Sequence, residues 1–154
     1  MKLRNVLPML AVATFALAAC APKVDFKKFN EKAKAAAEKA KDVSFSKVVV
    51  NGEIKMSGYS VEFKDVTVKF EKNAFSGSLT DEKQIMVVGY LNAMRAEAIT
   101  ESKDAVYYAG TTFKVESTSK DAEGKMEWNK YGLLTLLDTK SGDDFMKVTA
   151  KYSK

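Results

Sequence analysis

Apolar and polar side chains alternate along most of the chain from Ser44 onward, and a period of two is typical of half-buried β-strands. The first such stretch, SFSKVVVNGEIKMSG, contains Asn51 and Gly52 between two apolar runs. Asn-Gly is a preferred pair in tight hairpin turns, because both central residues need a positive φ angle. The pattern therefore predicts a hairpin with strands at 45–50 and 53–57.

The next alternating stretch covers residues 59–72 and changes phase in its middle. Phe63 belongs to one parity of the alternation, whereas Val66 and Phe70 belong to the other. A slip of one residue moves every following side chain to the opposite face of a strand. We therefore expect a bulge or a turn at Lys64 and Asp65.

Three further strands are predicted near the C-terminus, at 105–118, 126–139 and 144–153. The second of them is apolar on both faces at 133–137, as in a central strand. A strand of that kind needs cover on both sides, from helices or from a curled sheet. The sequence TKSGDD at 139–144 is typical of a hairpin turn between the last two strands.

An N-terminal helix is predicted at 25–42, where Phe26, Phe29 and several alanines fall at helical spacing. Asp25 is the expected N-cap, and alanine and lysine both favour a helix. Only the two phenylalanines on the apolar face are large. We expect the helix to dock on the sheet through them, with a loosely held C-terminal half and space for a groove beside the alanines of 33–40.

A second helix is predicted within residues 80–99, beginning near Thr80 or Asp81. A stripe of apolar residues at helical spacing runs through this segment, and its second half is rich in strong helix formers. The run at 85–91 is apolar on both parities, which also suits a buried strand. A strand therefore stays open as the alternative.

These elements define an expected fold class and domain organisation. We expect an α+β fold, with the N-terminal helix and the second helix packed on an antiparallel sheet of about six strands. A mostly β fold follows if 84–100 is extended. Residues 44–154 are expected to form a single α+β domain, and residues 20–43 to form the basic amphipathic helix that precedes it.

Charge is distributed unevenly in a chain whose composition, with 46% hydrophobic and 29% charged residues, is that of a globular protein. Residues 20–43 contain seven lysines and four acidic residues, whereas residues 44–154 contain sixteen basic and sixteen acidic residues. The basic segment either attracts an anionic membrane surface or is a solvated helix face. The neutral domain gives no reason to expect a nucleic-acid partner.

The residue types exclude several kinds of catalytic and metal site. The chain has no histidine, so Ser–His and Cys–His pairs and the usual zinc ligand sets cannot form. Asp138, Asp143 and Asp144 lack the regular spacing of a calcium loop and are expected to be solvated turn residues. We expect no catalytic residue, no metal and no cofactor.

Three short motifs resemble those of penicillin-binding proteins and serine β-lactamases. They are S-x-x-K at 44–47, Y-x-N at 90–92 and K-S-G at 140–142. That chemistry needs the serine at the start of a buried helix, and here the serine motif continues into a predicted strand. S-x-x-K also recurs at 117–120, which shows how easily it arises by chance. We therefore expect a protein that is not an enzyme.

Two groups of side chains are candidates for binding. Tyr107, Tyr108, Trp128 and Tyr131 form either a platform for a sugar or a partner peptide, or ordinary packing contacts. Met86, Met94, Met126 and Met146 are adaptable side chains that would suit the wall of an apolar ligand cavity.

The first twenty residues have the layout of an export signal. Lys2 and Arg4 form a positive head, an apolar run follows, and small residues precede the only cysteine of the chain. The last four positions are Leu17, Ala18, Ala19 and Cys20. They resemble the lipobox of bacterial lipoproteins. The resemblance implies that residues 1–19 are a lipoprotein signal peptide, that cleavage falls between Ala19 and Cys20, and that Cys20 carries a thioether-linked diacylglycerol.

Two alternatives to this interpretation are an uncleaved membrane anchor at 5–22 and an ordinary signal peptide with an incidental thiol. Pro8 inside the apolar run and the small residues before Cys20 favour the lipoprotein. Bacterial lipoproteins retained in the inner membrane resemble one another in having aspartate after the cysteine. Ala21 at that position therefore indicates the outer membrane if the host is Gram-negative.

The expected function is that of a membrane-anchored envelope lipoprotein, a non-enzymatic binding or scaffold module. Its partners would be the membrane, through the lipid and the basic helix, and an envelope protein, glycan or lipid. The alternative is a carrier that holds an acyl chain or another apolar ligand between sheet and helix. A carrier predicts an internal apolar cavity, whereas a scaffold predicts a filled core and an exposed apolar patch.

Overall fold

The computed structural model describes residues 21–154. The predictions for residues 1–20, including the signal peptide, the cleavage site at Ala19 and Cys20, and the lipid on Cys20, lie outside the described residues. No helix within 21–154 combines the length and the apolar character that crossing a bilayer requires.

Two helices and nine strands make up this part of the chain. The helices are α1 (Phe26–Ala40) and α2 (Glu82–Ala93), and a 3₁₀ turn follows at Ala96–Ala98. The strands are β1 (Lys23–Val24), β2 (Phe45–Met56), β3 (Tyr59–Glu71), β4 (Ala74–Ser76), β5 (Ala105–Ala109), β6 (Phe113–Ser117), β7 (Glu123–Trp128), β8 (Leu134–Ser141) and β9 (Asp144–Ser153).

The nine strands form one antiparallel sheet in the order β1-β5-β6-β7-β8-β9-β2-β3-β4. The α+β class is confirmed, and the mostly β alternative is wrong because 82–93 is a helix. The expected number of about six strands is too small. Two predicted strands, 105–118 and 126–139, are each a hairpin of two strands. β1 and β4 have two and three residues, too few for a periodic pattern to appear.

The predicted turn at Asn51 and Gly52 is wrong. Both residues lie inside β2, and Gly52 pairs with Val148 of β9. Gly52 has φ +147°, and a Cβ there would collide with the carbonyl oxygen of Lys147. The glycine therefore serves the close approach of β9 rather than a turn. The chain reverses instead at Ser57 and Gly58, which have φ angles of 48° and 83°.

The predicted bulge at Lys64 and Asp65 is confirmed. β3 has one residue more than β2 at this point, since Val50 pairs with Val66 while Gly52 pairs with Phe63. Asp65 adopts φ +49°, and its N–H donates to Oδ1 of Asn51 over 2.8 Å. The bulge returns the apolar residues of both halves of β3 to the same face of the sheet.

A second irregularity explains the apolar run at 133–137. The pairing of β7 with β8 shifts at Glu127 and Trp128. This shift places Leu134 and Leu137 on the same buried face although they are three residues apart. The expectation that the strand is covered on both sides is therefore wrong, and Leu136 on the other face is only half-buried.

Both predicted helices are present, Asp25 is the expected N-cap of α1, and α2 begins after Asp81, near the expected start at Thr80 or Asp81. The carboxylate of Asp25 accepts from the Lys28 N–H over 2.8 Å, and that of Asp81 accepts from the Gln84 N–H over 3.0 Å. The expectation that the C-terminal half of α1 is loosely held is wrong. Four alanines on that half are buried against the rest of the fold: Ala33, Ala36, Ala37 and Ala40.

One face of the sheet carries the core, and both helices pack on it. On one side, the Phe29 ring of α1 lies 5.4 Å from the Tyr107 ring and 5.9 Å from the Trp128 ring, measured between centroids. On the other side, α2 buries Val87 and Leu91 against β2 and β3. The Trp128 indole N–H donates to the Met94 carbonyl over 2.7 Å, which ties the end of α2 to β7.

The opposite face of the sheet is charged. A row of cross-strand neighbours alternates in sign: Glu53, Lys147, Asp138, Lys125 and Glu116. On β6 the Lys114 ammonium lies 2.7 Å from the Glu116 carboxylate, and this hydrogen bond raises the pKa of Lys114. Pairs of this kind in solvent contribute little to stability. This outer face is therefore a solvated surface.

Candidate functional site

The two helices cover only part of the core face of the sheet. Along β5 to β9, successive inward-facing positions alternate with the charged outer ones. Tyr107, Phe113 and Trp128 lie under α1, but the inward positions beyond them have no helix above them. The uncovered positions line an open trough of about 510 Å³ at this end of the sheet.

Apolar side chains form the floor and walls of the trough. They are Ala105 of β5, Val115 of β6, Met126 of β7, Met146 of β9 and Met56 at the end of β2. Polar groups surround them, including Ser102, Asp104, Lys140 and Asp144. Methionine side chains are flexible and polarizable, so a surface rich in them adapts to apolar groups of different shape.

Small residues give the trough its depth. Ala105 pairs with Ser117 across β5 and β6, and Gly124 pairs with Thr139 across β7 and β8. A Cβ on Gly124 would lie 2.9 Å from the Cα of Thr139, so only glycine fits against β8 at this position. The larger inward-facing side chains next to these small residues, such as Met126, therefore form the walls of the trough.

The apolar surface continues from the trough onto the N-terminal part of α2. Met56 is 46% exposed and pairs with Tyr59, which is 54% exposed. The Tyr59 hydroxyl contacts the sulfur of Met86 over 3.8 Å. Next to Met86, Ile85 is 49% exposed. Tyr59, Ile85 and Met86 thus extend the exposed apolar surface beyond the trough.

A loop closes the other side of the trough. The Ser102 N–H donates to the Tyr107 hydroxyl over 2.8 Å, and this bond holds the segment before β5 in place. Ser102 and Asp104 thereby form one polar border of the trough. Because Tyr107 is itself buried, the border is fixed to the core rather than to a free loop.

The four aromatic candidates do not form a platform. Tyr107 and Trp128 are buried in the core. Tyr108 lies on the charged face, where the Lys114 ammonium is 4.6 Å from the centre of its ring. The Tyr131 ring packs 5.9 Å from that of Phe45 at the far end of the sheet. These four aromatic side chains therefore make ordinary packing contacts rather than a shared binding surface.

The methionine candidates are divided between two places. Met126 and Met146 line the trough, whereas Met86 and Met94 belong to α2 and its C-cap. The space between α2 and the sheet amounts to only about 10 Å³. Four alanines of 33–40 are buried on the side of α1 that faces the fold, so they leave no ligand space there. An open groove does lie beside Ala35 and Ala36, between α1 and the turns at 110–111 and 130.

The three enzyme-like motifs do not converge. Ser44 directly precedes one end of β2, and Lys55 lies near the other end. Lys140 pairs with Phe145, which in turn pairs with Lys55, so the lysine motif belongs to the end far from the serine. Within residues 21–154, no three acidic residues or other potential ligands gather into a group that would hold a metal ion.

The sole arginine of residues 21–154 is buried at the end of the sheet remote from the trough. Arg95 donates to the Asn73 carbonyl over 3.1 Å and to its side-chain oxygen over 2.9 Å. Its Nε lies 3.2 Å from the Glu97 carboxylate without a well-aligned hydrogen bond, and its guanidinium stacks 5.6 Å from the centre of the Phe70 ring. These contacts join the β3–β4 turn to the end of α2, which is a structural role.

The sequence pattern does not predict a binding site at the trough. Ala105, Val115 and Met56 were assigned only to strands, and the two trough methionines only to a different cavity. No local sequence signal locates it, because the trough depends on where the helices end relative to the strands. Comparisons of the chain with protein-family models, curated proteins and solved structures give no match.

Proposed function

We propose that the protein is a lipoprotein of the bacterial cell envelope, anchored through Cys20, that binds an apolar segment of another envelope protein in its trough. The observation that carries this proposal is the open apolar trough of about 510 Å³ beside a filled interior. An open apolar pocket of this volume, bordered by polar residues, is typical of a binding site.

The position of the trough relative to the start of the described chain supports the proposal. The Ala109 N–H donates to the Pro22 carbonyl over 3.1 Å, so the chain enters beside the last residue of β5. Ala105, the first residue of β5, lies in the trough. A lipid on Cys20 would be within about 7 Å of Pro22 along the chain. The trough would then face away from the membrane, where a partner has access.

A binding role rather than a catalytic one is supported by the residue types. The chain has no histidine, and the hydroxyl groups of Ser102, Ser117 and Ser141 in the trough bond to backbone groups rather than to a basic side chain. Burying two large apolar side chains of a partner would contribute about 3–6 kcal/mol before the costs of association. We therefore expect a modest affinity for the partner. Anchoring of both proteins to the same membrane would raise the effective affinity.

Photo-crosslinking in intact cells tests the trough directly. A benzophenone amino acid is placed at Met126 or Met146, and as matched controls at the adjacent outward residues Glu127 or Lys147, which do not line the trough. We expect a discrete protein adduct from the two trough positions and none from their neighbours. Introducing Val115→Lys as a second change should abolish the adduct, because it places a charge in the trough.

Equal adducts from the inward and outward positions, or an adduct that survives Val115→Lys, would contradict binding in the trough. The anchor is tested separately by the intact mass of the mature protein. We expect the mass of residues 20–154 plus diacylglycerol, and loss of the lipid and of processing in Cys20→Ser.

The carrier alternative receives less support from the packing of the described residues. Its ligand would lie between helix and sheet, but only about 10 Å³ is open under α2 and the sheet-facing alanines of α1 are buried. Native mass spectrometry of residues 21–154 purified without detergent separates the two functions. A stoichiometric lipid adduct would favour the carrier, and an apo mass with no uptake of added fatty acid would favour the binding module.

A further inference from the structure

A second groove lies at the end of the sheet opposite the trough, between α1 and two turns. Its open volume is about 440 Å³. The charged side chains that line it are Lys32 and Lys39 of α1 and Lys130 of the β7–β8 turn. No carboxylate is among its lining residues, and Thr111 of the β5–β6 turn adds a hydroxyl.

The two exposed sides of α1 differ in how their charge is compensated. On the side away from the groove, residues at helical spacing alternate in sign: Lys27, Glu31, Lys34, Glu38 and Lys41. The Lys41 ammonium there lies 2.9 Å from the Glu38 carboxylate. On the groove side, Lys32 and Lys39 are separated by Ala35 and have no acid between them. The groove therefore has the stronger attraction for an anion.

The groove also lies where the chain enters the fold. Gly110 and Thr111 directly follow Ala109, whose N–H is bonded to the Pro22 carbonyl. Residue 20 is only two positions before Pro22. If the proposed anchor is correct, the groove lies beside the lipid headgroups of the same membrane.

We propose that this groove binds the phosphate groups of anionic phospholipid headgroups in the bilayer that holds the protein. The location of the ligand rests on the proposed lipid anchor, whereas the chemistry rests on the groove alone. Lysine binds phosphate as a point charge and needs no fixed geometry, which suits headgroups that move in the plane of a bilayer. Each lysine near an anionic surface contributes about 1 kcal/mol of attraction.

Binding to vesicles by the unlipidated domain tests the groove independently of the anchor. The domain used is residues 21–154, which contain both described helices and the nine-stranded sheet. The probes are vesicles of phosphatidylcholine alone and vesicles that also contain phosphatidylglycerol. We expect binding only to the second kind, and we expect it to weaken as salt is added.

Two triple variants with the same change in net charge supply the control. The groove variant is Lys32→Gln, Lys39→Gln and Lys130→Gln, and the matched variant on the other side of α1 is Lys27→Gln, Lys34→Gln and Lys41→Gln. The groove variant should bind the anionic vesicles about 100-fold more weakly, since three contributions are lost. The matched variant should stay within about fivefold of the unchanged domain, because its charges lie about a Debye length away.

Equal losses in the two variants would overturn the proposal, as would equal binding to both kinds of vesicle. Unchanged circular dichroism and thermal midpoints show that the variants are folded. Inorganic phosphate at constant ionic strength is the third probe. If it saturates the groove and displaces the vesicles, the site is one for a soluble phosphate and the proposal fails. None of these outcomes depends on Cys20 or on the trough, so the proposed function is tested separately.

Discussion

At the scale of single residues, Gly52 shows most clearly how one side chain permits the sheet to form. It lies in the middle of β2, and a Cβ there would meet the carbonyl oxygen of Lys147 and the Cα of Val148 on β9. Both atoms are backbone and cannot move without disturbing the ladder. Gly52→Ala should therefore lower the free energy of unfolding by about 2–4 kcal/mol, measured by urea denaturation.

Gly89 supplies the control for this substitution. It lies inside α2, and a Cβ there would have no atom within 4 Å. Alanine is the better helix former, so Gly89→Ala should raise the free energy of unfolding by up to about 1 kcal/mol. A similar loss of stability in both variants would show that the close approach of β9 is not the reason for Gly52.

Tyr152 links stability to alkaline pH. Its hydroxyl donates to the Leu134 carbonyl over 2.6 Å, and burial raises the pKa of Tyr152 well above its usual range despite the opposing effect of Arg95. An unfolded tyrosine loses its proton near pH 10. The stabilisation from the buried phenol is therefore present below about pH 10 and is lost as the pH rises above that value.

The variant Tyr152→Phe separates the hydrogen bond from the titration. At pH 8 the free energy of unfolding of this variant should be about 1 kcal/mol lower than that of the unchanged protein, because the hydrogen bond is missing. Above pH 10 the deficit should shrink, since phenylalanine does not titrate. Urea denaturation at pH 8 and pH 11 measures both quantities. A deficit of the same size at the two pH values would show that the phenol does not stay protonated in the fold.

At the scale of elements, the packing of α1 rests on small residues rather than large ones. Ala36 is buried beside the 3₁₀ turn and Gly132. Ala35, its neighbour in sequence, is exposed. Ala36→Leu should therefore lower the free energy of unfolding by about 1–3 kcal/mol through overpacking.

The matched change Ala35→Leu adds the same atoms at the neighbouring exposed position of the helix, where they meet solvent. We expect it to alter the free energy of unfolding by less than about 0.5 kcal/mol. Thermal or urea denaturation of the two variants measures the difference. If both substitutions are neutral, the C-terminal half of α1 is loosely held after all.

Local signals predicted the elements well where a single residue acts on its own neighbourhood. Asp25 caps α1 as expected, α2 begins near the expected Thr80 or Asp81, and the phase change at Lys64 and Asp65 marks a real bulge. Prediction failed where the deciding contact is distant in sequence. Gly52 carries a turn signal, but the atoms that require a glycine belong to Lys147 and Val148.

The hairpins of β5–β6 and β7–β8 were missed for a related reason. Gly110 and Gly132 interrupt the two patterns only briefly, and the apolar alternation continues on both sides of each turn. In the β7–β8 hairpin, the Asn129 side chain completes the turn by accepting from the N–H groups of Tyr131 and Leu133, over 3.0 Å and 3.2 Å. A continuous apolar run such as 133–137 hides such a turn, because it suits a longer central strand equally well.

At the scale of the whole molecule, the trough could not be predicted from the sequence. Its existence depends on where α1 and α2 end relative to the strands, and no local pattern encodes that. The residues that line it, such as Val115 and Met126, have the same alternation as the core residues under the helices. For the other end of the molecule the sequence does make a prediction, through the lysines of 23–41 and the lipobox-like motif that ends at Cys20.

Under the proposed function, the two ends of the sheet have different roles. The end where Pro22 enters and the lysine groove lies would be held at the membrane, and the end with the trough would be presented to a partner. The strands between them, such as β8 with eight residues, separate the ends by about 25 Å. This separation is large enough for a distance-dependent measurement to distinguish them.

Fluorescence quenching by headgroup-labelled lipids tests this orientation most directly. Cys20 is the only cysteine, so in the lipidated protein Thr111→Cys or Ser141→Cys would supply a single free thiol for a fluorophore. In reconstituted vesicles we expect strong quenching at residue 111, beside the lysine groove, and weak quenching at residue 141, beside the trough. Equal quenching at the two positions, or stronger quenching at residue 141, would contradict a module anchored at one end and binding at the other.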